Sequence, residues 1–205
     1  GGTVDAVPPA VSGPSSATTG GRDGIGTGGP SVPRASSAPV LAVLVVDDDA
    51  PTLEAVLAGL AAQDHARTDL LVVDFRRDGD GDGPTLVDRV GLIAPATLVV
   101  QAPGLQGAGP AAAAGLKAWS NERSESPDPQ FLLFIPGEVV LGDTAVRRLV
   151  ERAVEANAAV VGPKVVGPMG GLEETGWWFD ALGSPVPVVP DPEFDQGQHD
   201  TDLQP

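Results

Sequence analysis

Short apolar runs alternate with amphipathic segments along the middle of the chain. The runs at residues 39–46, 70–74, 97–101, 131–135 and 158–161 are apolar over most of their length, which is typical of strands buried on both faces. After the first run, Leu53, Val56, Leu57 and Leu60 fall on one face of a helix. This alternation predicts an α/β fold with a mostly parallel sheet and helices on both faces.

Further helices are predicted between the later strands. Residues 85–93 form a weak helical pattern, and the alanine-rich residues 111–119 form another. The clearest helical face belongs to the segment after Asp143, which is suited to cap its amino end. After Lys164 the chain is rich in proline, and we expect short strands and turns there.

Polar residues stand at the carboxyl ends of the predicted strands. They are the run 47–49 (three aspartates), Asp74, Gln101 and Glu138. Ligands of parallel sheets bind outside these ends, so the residues predict an acidic rim suited to a metal and a nucleotide. Aspartate is also a common turn and cap residue, so the same acids are equally consistent with strand ends that have no chemical role.

The first 38 residues differ from the rest in composition. Glycine, proline, serine, threonine and alanine dominate, and large apolar side chains are almost missing. Such a segment cannot bury enough surface to offset the entropy of ordering, so we predict that residues 1–38 are disordered. Residues 39–205 are long enough for one domain with its own core.

Charge and cysteine content exclude some functions. The formal net charge is −16, which argues against nucleic acid as a partner because phosphate backbones require a basic surface. The chain contains 0 cysteines, so disulfide and thiolate chemistry are excluded. No apolar run approaches the roughly 20 residues of a membrane span, so we expect none in this segment.

The order of several short motifs matches one known family. Residues 60–63 (Leu-Ala-Ala-Gln) close the first helix, and residues 72–74 (Val-Val-Asp) end the second strand. Gln101 precedes a glycine-rich stretch at 104–109, and residues 160–164 (Val-Val-Gly-Pro-Lys) follow the last predicted helix. From residue 39 to about residue 200, this ordered set resembles the family 2 glycosyltransferases of the GT-A, Rossmann-like fold.

The resemblance implies a function and a site. It places Asp48, Asp49, Asp74 and Gln101 at a nucleotide-diphosphate sugar, and Glu138 at a Mg²⁺ or Mn²⁺ ion that neutralises the leaving diphosphate. The activity would be hexosyl transfer. The family's general base lies further beyond the metal turn than this chain extends, so no catalytic base is assigned. The domain would therefore be incomplete at its carboxyl end.

The segment 172–198 resembles a subgroup found in large actinobacterial membrane proteins of cell-envelope assembly. The resemblance therefore implies a domain of a larger membrane protein, on the cytoplasmic face of the membrane, that acts in polysaccharide or glycolipid assembly.

Three positions depart from the family pattern. Phe75 replaces a second aspartate, Ala112 and Ala113 replace an Arg-Asn pair, and the aspartate cluster at the metal turn has become Pro136, Gly137 and a glutamate. Phenylalanine cannot accept a hydrogen bond from a base edge, and proline cannot hold a ribose. These losses indicate weakened or lost catalysis. The alternative is a non-catalytic scaffold or partner-binding module of the larger protein.

A response-regulator receiver is a further alternative. The first strand with its aspartates resembles the start of a receiver, and the strand ending at Asp74 resembles its phosphoacceptor strand. A receiver needs another strand and helix between these acids, but only 25 residues separate Asp49 from Asp74.

Other candidate residues have plainer interpretations. Residues 78–83 (Asp-Gly-Asp-Gly-Asp-Gly) match the start of a calcium loop, but position 12 of that loop is Arg89, so we expect a solvated acidic loop. His65 and His199 are isolated, and we expect surface residues rather than metal ligands. Trp119 and the Trp-Trp pair at 177–178 are expected to be core or packing residues, and the pair could instead stack on a ring if it lies beside a sugar site.

Overall fold

The computed structural model describes residues 37–47, 51–76, 85–123 and 128–197. They all belong to one structural unit. The elements in chain order are β1 (Val40–Val46), α1 (Leu53–Ala61), β2 (Thr68–Asp74), α2 (Leu86–Ile93), β3 (Leu98–Gln101), α3 (Ala108–Glu122), β4 (Phe131–Pro136), α4 (Ala145–Glu155), β5 (Val165–Val166), β6 (Gly171–Glu174), β7 (Trp177–Phe179), β8 (Pro185–Pro187) and β9 (Glu193–Phe194).

Four parallel strands form the main sheet in the order β3-β2-β1-β4. This order is that of the first four strands of a doubly wound, Rossmann-like fold. The predicted α/β fold with a parallel sheet is confirmed. In a receiver, β1 lies between β2 and β3, whereas here β2 lies between β1 and β3. The strand order therefore differs from that of the receiver alternative.

Alternate side chains of β1 enter two different cores. Val40, Ala42, Leu44 and Val46 pack with α1, α2 and α4 on one face of the sheet. The intervening residues of β1 pack with α3 on the other face, which confirms helices on both faces. Because both faces of β1 are covered, a continuous apolar sequence is what this strand requires.

Glycine allows α3 to approach the sheet closely. A Cβ atom built on Gly115 would overlap with Cγ2 of Val73 and would lie 3.4 Å from Cδ2 of Leu71. The helix can therefore pack against β2 at this distance only if position 115 has no side chain. Trp119, one turn further on, is buried in the same core, as predicted.

The side chain of Gln63 joins the end of α1 to the start of α4. Its Nε2 donates to the carbonyl oxygens of Gly59 at 2.7 Å and Gly142 at 2.8 Å, and its Oε1 accepts from the backbone N–H of Val146 at 2.9 Å. The predicted cap Asp143 is wrong, because Thr144 precedes the helix and makes no side-chain cap bond. Gln63 satisfies an amino-terminal N–H of α4 instead.

The predicted fifth strand at residues 158–161 is wrong. This segment is irregular, and Val160 is 87% exposed. The position of α4 explains the difference. Since α4 packs on the same face as α1, a parallel strand placed beyond β4 would require a left-handed crossover, which folds avoid. The chain instead forms small antiparallel sheets, β5-β6-β9 and β7-β8, which agrees with the predicted strands and turns after Lys164.

Two predictions about burial are also wrong. Trp177 and Trp178 are each 53% exposed on the two-stranded sheet, because no second layer covers β7 within the described residues. His65 is 5% exposed, and its Nε2 lies 2.8 Å from the carbonyl oxygen of Ala38. Ala38, at the end of the segment predicted to be disordered, is itself fully buried.

Several predictions concern residues outside the described part of the chain. These are the predicted disorder of residues 1–36, the acidic loop at 78–83, and His199. Among the residues that the structure does describe, no helix combines the length and the apolar character needed to cross a membrane.

Candidate functional site

The polar residues at the carboxyl ends of the strands lie in a row along one edge of the main sheet. Gln101 is the register partner of Asp74, and Asp74 is the partner of Val46 at the end of β1. On the other side of β1, Val45 is the partner of Pro136. The row crosses three strand spacings, or about 14 Å, which is long enough to lie along a nucleotide.

Among the described residues of this row, Asp74 is the one buried acid, at 8% exposure. Arg76 holds its carboxylate from two sides: Nε donates to Oδ1 at 2.8 Å, and Nη2 donates to Oδ2 at 2.9 Å. The backbone N–H of Arg76 also donates to Oδ1 at 3.2 Å. A charge buried to this degree requires such partners, and the pair neutralises the acid that the resemblance assigns to the nucleotide.

Asp47 and Glu138 follow β1 and β4, which are neighbouring strands, and both are exposed. The turn that carries Glu138 is fixed to the start of α1, since Thr52 Oγ1 donates to the carbonyl oxygen of Gly137 at 3.0 Å. Asp47 and Glu138 therefore follow two adjacent parallel strands at the place where the strand order reverses. Asp48 and Asp49 lie outside the described residues.

The loop between β3 and α3 has the backbone of a tight glycine turn. Gly104 and Gly107 adopt positive φ angles of 80° and 91°, which residues with a side chain rarely do. The loop leads directly into the amino end of α3, where backbone N–H groups lack helical partners and favour negative charge. Gln101 is exposed immediately before this loop, so the sequence-predicted residue and the loop lie at the same edge.

Two of the substituted positions contribute to packing of the core. Ala112 is 5% exposed against the β2 and β1 side chains, so the position has no room for an arginine without rearrangement. Phe75 is partly buried against the same core, on the α3 face of the sheet. Ala113 is exposed. Two of the three altered contact points therefore contribute to the core of this domain.

The carboxylates at this edge supply only some of the ligands that a hard cation requires. Mg²⁺ binds in proteins through one or two carboxylates when substrate phosphates supply other ligands. Glu138 and Asp47 are exposed carboxylates of this type, whereas Asp74 is paired with Arg76. Over the described ranges, which leave out Asp48 and Asp49, no three acidic, histidine or cysteine side chains are grouped as metal ligands. Glu138 and Asp47 are the described residues that would hold a Mg²⁺ or Mn²⁺ ion arriving with a diphosphate.

Sequence reasoning did not predict Arg76 as a site residue. The signal was present in the sequence, since an arginine two residues after a strand-ending aspartate can fold back onto it. The spacing alone does not distinguish this arrangement from an arginine that extends into solvent. The burial of Asp74 favours the folded-back arginine, because a desolvated carboxylate gains more from a bidentate partner than an exposed carboxylate does.

The chain was also compared with known proteins. No model of a protein family matches it, and a search of curated proteins finds no match.

Proposed function

We propose that this domain is a family 2 glycosyltransferase-like, GT-A domain that binds a nucleotide-diphosphate sugar and whose catalysis is weakened. It would act in cell-envelope polysaccharide or glycolipid assembly, at the cytoplasmic face of the membrane, as part of a larger membrane protein. The order of motifs along the sequence supports the family, and the Rossmann-like sheet supports the site. Any activity would be hexosyl transfer.

One observation carries the proposal most directly. β1 and β4 are parallel neighbours, and the exposed carboxylates Asp47 and Glu138 follow their carboxyl ends at the point where the strand order reverses. This reversal is where doubly wound sheets bind nucleotides. A Mg²⁺ or Mn²⁺ ion bound by these carboxylates would supply Lewis-acid neutralisation of the diphosphate. Gln101 and the glycine turn before α3 extend the site towards the other end of the sheet.

The same site explains why catalysis would be weak. Asp74 already pairs with Arg76, so it contributes less negative charge to a metal and fewer acceptors to a base or ribose. Ala112 is packed in the core, where the family has a polar residue near the substrate. A site that keeps a few polar groups but loses their charge can bind a ligand without strong stabilisation of the transition state.

Titration calorimetry with UDP-glucose and GDP-mannose, with and without Mn²⁺, tests the proposal. We expect metal-dependent binding of one sugar nucleotide that is lost in Glu138→Ala. Glu155→Ala is the matched control, because Glu155 is an exposed glutamate at the end of α4, far along the helix from the β4 turn. If the folded chain binds neither ligand at about millimolar concentration, the proposal is wrong.

A second candidate function is a non-catalytic scaffold or partner-binding module. The observation that favours it is the exposed apolar surface of β4, where Leu132 is 46% and Phe134 is 54% exposed on the α3 face of the sheet. Exposed apolar side chains of this size often mark interaction sites. The calorimetric titration separates the candidates, since the module predicts a folded chain that binds neither sugar nucleotide.

A further inference from the structure

A cavity of about 330 Å³ lies at the amino edge of the main sheet, opposite the candidate nucleotide site. Its lining includes Thr68, the first residue of β2, and Pro39 and Pro129, which precede β1 and β4. The carboxyl end of α3 closes another side with Arg123. The volume is at the lower end of the range for small-molecule sites, roughly 300–1,000 Å³.

Two arginines line this cavity in a strongly acidic protein. Arg67 donates to the carbonyl oxygen of Ser37 at 3.4 Å, and Arg123 donates to the carbonyl oxygen of Ala96 at the same distance. Both bonds are long, and neither guanidinium is paired with a carboxylate in the part of the chain that the structure describes. By contrast, Arg76 and Arg89 each hold a carboxylate. The cavity therefore brings together two guanidinium groups that form no ion pair among the described residues.

Trp119 gives the cavity an apolar wall with a polar edge. Its side chain is only 6% exposed and packs against the core around α3, so the ring is held in place. The rings of Pro39 and Pro129 add further apolar surface. Apolar and aromatic side chains are common elements of small-molecule sites.

Among the described residues that line the cavity, Asp69 is the one acid, and it is exposed. Two guanidinium groups and one carboxylate leave a net positive charge, which suits an anion. Planar guanidinium groups bind phosphate and carboxylate oxygens in pairs. We propose that this cavity binds a small organic anion, with Arg67 and Arg123 on its phosphate or carboxylate group and Trp119 against its organic part.

Fluorescence of a single tryptophan tests the proposal. In the variant Trp177→Phe/Trp178→Phe, Trp119 is the only tryptophan, since the chain has 3. This variant is titrated with phenyl phosphate, benzoate, inorganic phosphate and phenol at low salt. We expect saturable changes in Trp119 emission with phenyl phosphate or benzoate, and the stronger of the two identifies the anionic group. Phenol lacks the charge and should give no saturable change.

Arginine variants locate the binding. In the same background, Arg67→Gln/Arg123→Gln should weaken binding by at least about tenfold, because charge-assisted hydrogen bonds are lost. Arg148→Gln is the matched control, since Arg148 is exposed on α4. If the double variant does not fold, Arg123→Gln alone replaces it, because Arg123 lies just beyond the last turn of α3.

Three results would overturn the proposal. The first is the lack of any saturable change at about 10 mM ligand in a folded chain. The second is equal binding by the arginine variant and by the parent Trp177→Phe/Trp178→Phe variant. The third is binding of inorganic phosphate as tight as that of phenyl phosphate, because this would show that Trp119 does not contribute to binding of the organic part. Loss of sugar-nucleotide binding in Glu138→Ala concerns the opposite edge of the sheet, so the two proposals fail independently.

Discussion

Arg76 holds both carboxylate oxygens of Asp74, with Nε 2.8 Å from Oδ1 and Nη2 2.9 Å from Oδ2. The pair lies at the carboxyl end of β2, where a nucleotide-binding acid would be expected in a sheet of this order. The side chain of Asp74 is 9% exposed and that of Arg76 is 22% exposed. The arrangement therefore stabilises the fold at a position that could otherwise serve a ligand.

Loss of the arginine should destabilise the domain. Arg76→Gln leaves a buried carboxylate with only the backbone N–H as a partner, so we expect the free energy of unfolding to fall by about 1–3 kcal/mol. Urea denaturation measures it, with Arg148→Gln as the exposed control. The double variant Asp74→Asn/Arg76→Gln should be less destabilised than Arg76→Gln, because no buried charge remains. Equal stability of Arg76→Gln and Arg148→Gln would show that the pair contributes nothing.

The close packing of α3 on β2 predicts different effects for two glycines of one helix. Gly115→Ala should destabilise the domain by about 1–3 kcal/mol, because the new methyl group would overlap with Val73. Gly109→Ala should be neutral or stabilising by up to about 1 kcal/mol, since nothing lies within 4 Å of its Cβ position and alanine favours a helix. Thermal unfolding of both variants checks this. A Gly115→Ala variant as stable as Gly109→Ala would contradict the close approach.

The link between α1 and α4 depends on one side chain. Gln63→Ala removes the bonds to Gly59, Gly142 and Val146, and it leaves an N–H at the start of α4 without its side-chain partner. We expect a loss of about 1–2 kcal/mol in the free energy of unfolding. Gln101→Ala serves as the control, because that glutamine is exposed at the end of β3. If hydrogen exchange at Val146 is unchanged in Gln63→Ala, Gln63 does not cap α4.

The pair between α1 and α2 should be visible in the pH dependence of stability. Hydrogen bonds from Arg89, at 2.7 Å and 2.9 Å, lower the pKa of Glu54 from 4.5 to about 2. Because the folded-state pKa is lowered, the stabilisation is fully present above pH 4.5 and is lost as the pH falls from 4.5 to about 2. Glu54 is exposed, so salt should reduce the effect.

An NMR titration of the Glu54 carboxyl carbon measures this pKa. Arg89→Gln should move the midpoint up towards 4.5, whereas Arg148→Gln should leave it unchanged. A wild-type midpoint already near 4.5 would show that Arg89 does not hold the carboxylate in solution.

The main sheet could be predicted from the sequence because its signals are local and agree with one another. The apolar runs of β1 and β4 and the acids after them are visible within a few residues. The helical face of α4 was also predicted correctly, since Val146, Val150 and Ala153 are buried. These patterns depend on spacing along the chain, which the sequence contains directly.

The remaining features depend on which neighbours are present in space. The apolar run 158–161 has the composition of a buried strand. Because α4 packs on the same face of the sheet as α1, a parallel strand formed by this run beyond β4 would need a left-handed crossover. Trp177 has a large apolar side chain of the kind often found in a core, yet no layer covers it within the described residues. His65 is polar but buried, and its Nε2 has a hydrogen-bond partner in the carbonyl oxygen of Ala38. No local pattern contains this information.

Mapping of NMR chemical shifts tests the proposed nucleotide site most directly. The labelled chain is titrated with UDP-glucose or GDP-mannose in the presence of Mg²⁺, and backbone amide shifts are followed. We expect the shifts to concentrate at the carboxyl edge, at Asp47, Asp74, Gln101 and Glu138, and we expect Glu138→Ala to remove them. Shifts confined to the amino edge around Arg67 and Arg123, or no shifts at about millimolar ligand in the folded chain, would contradict it.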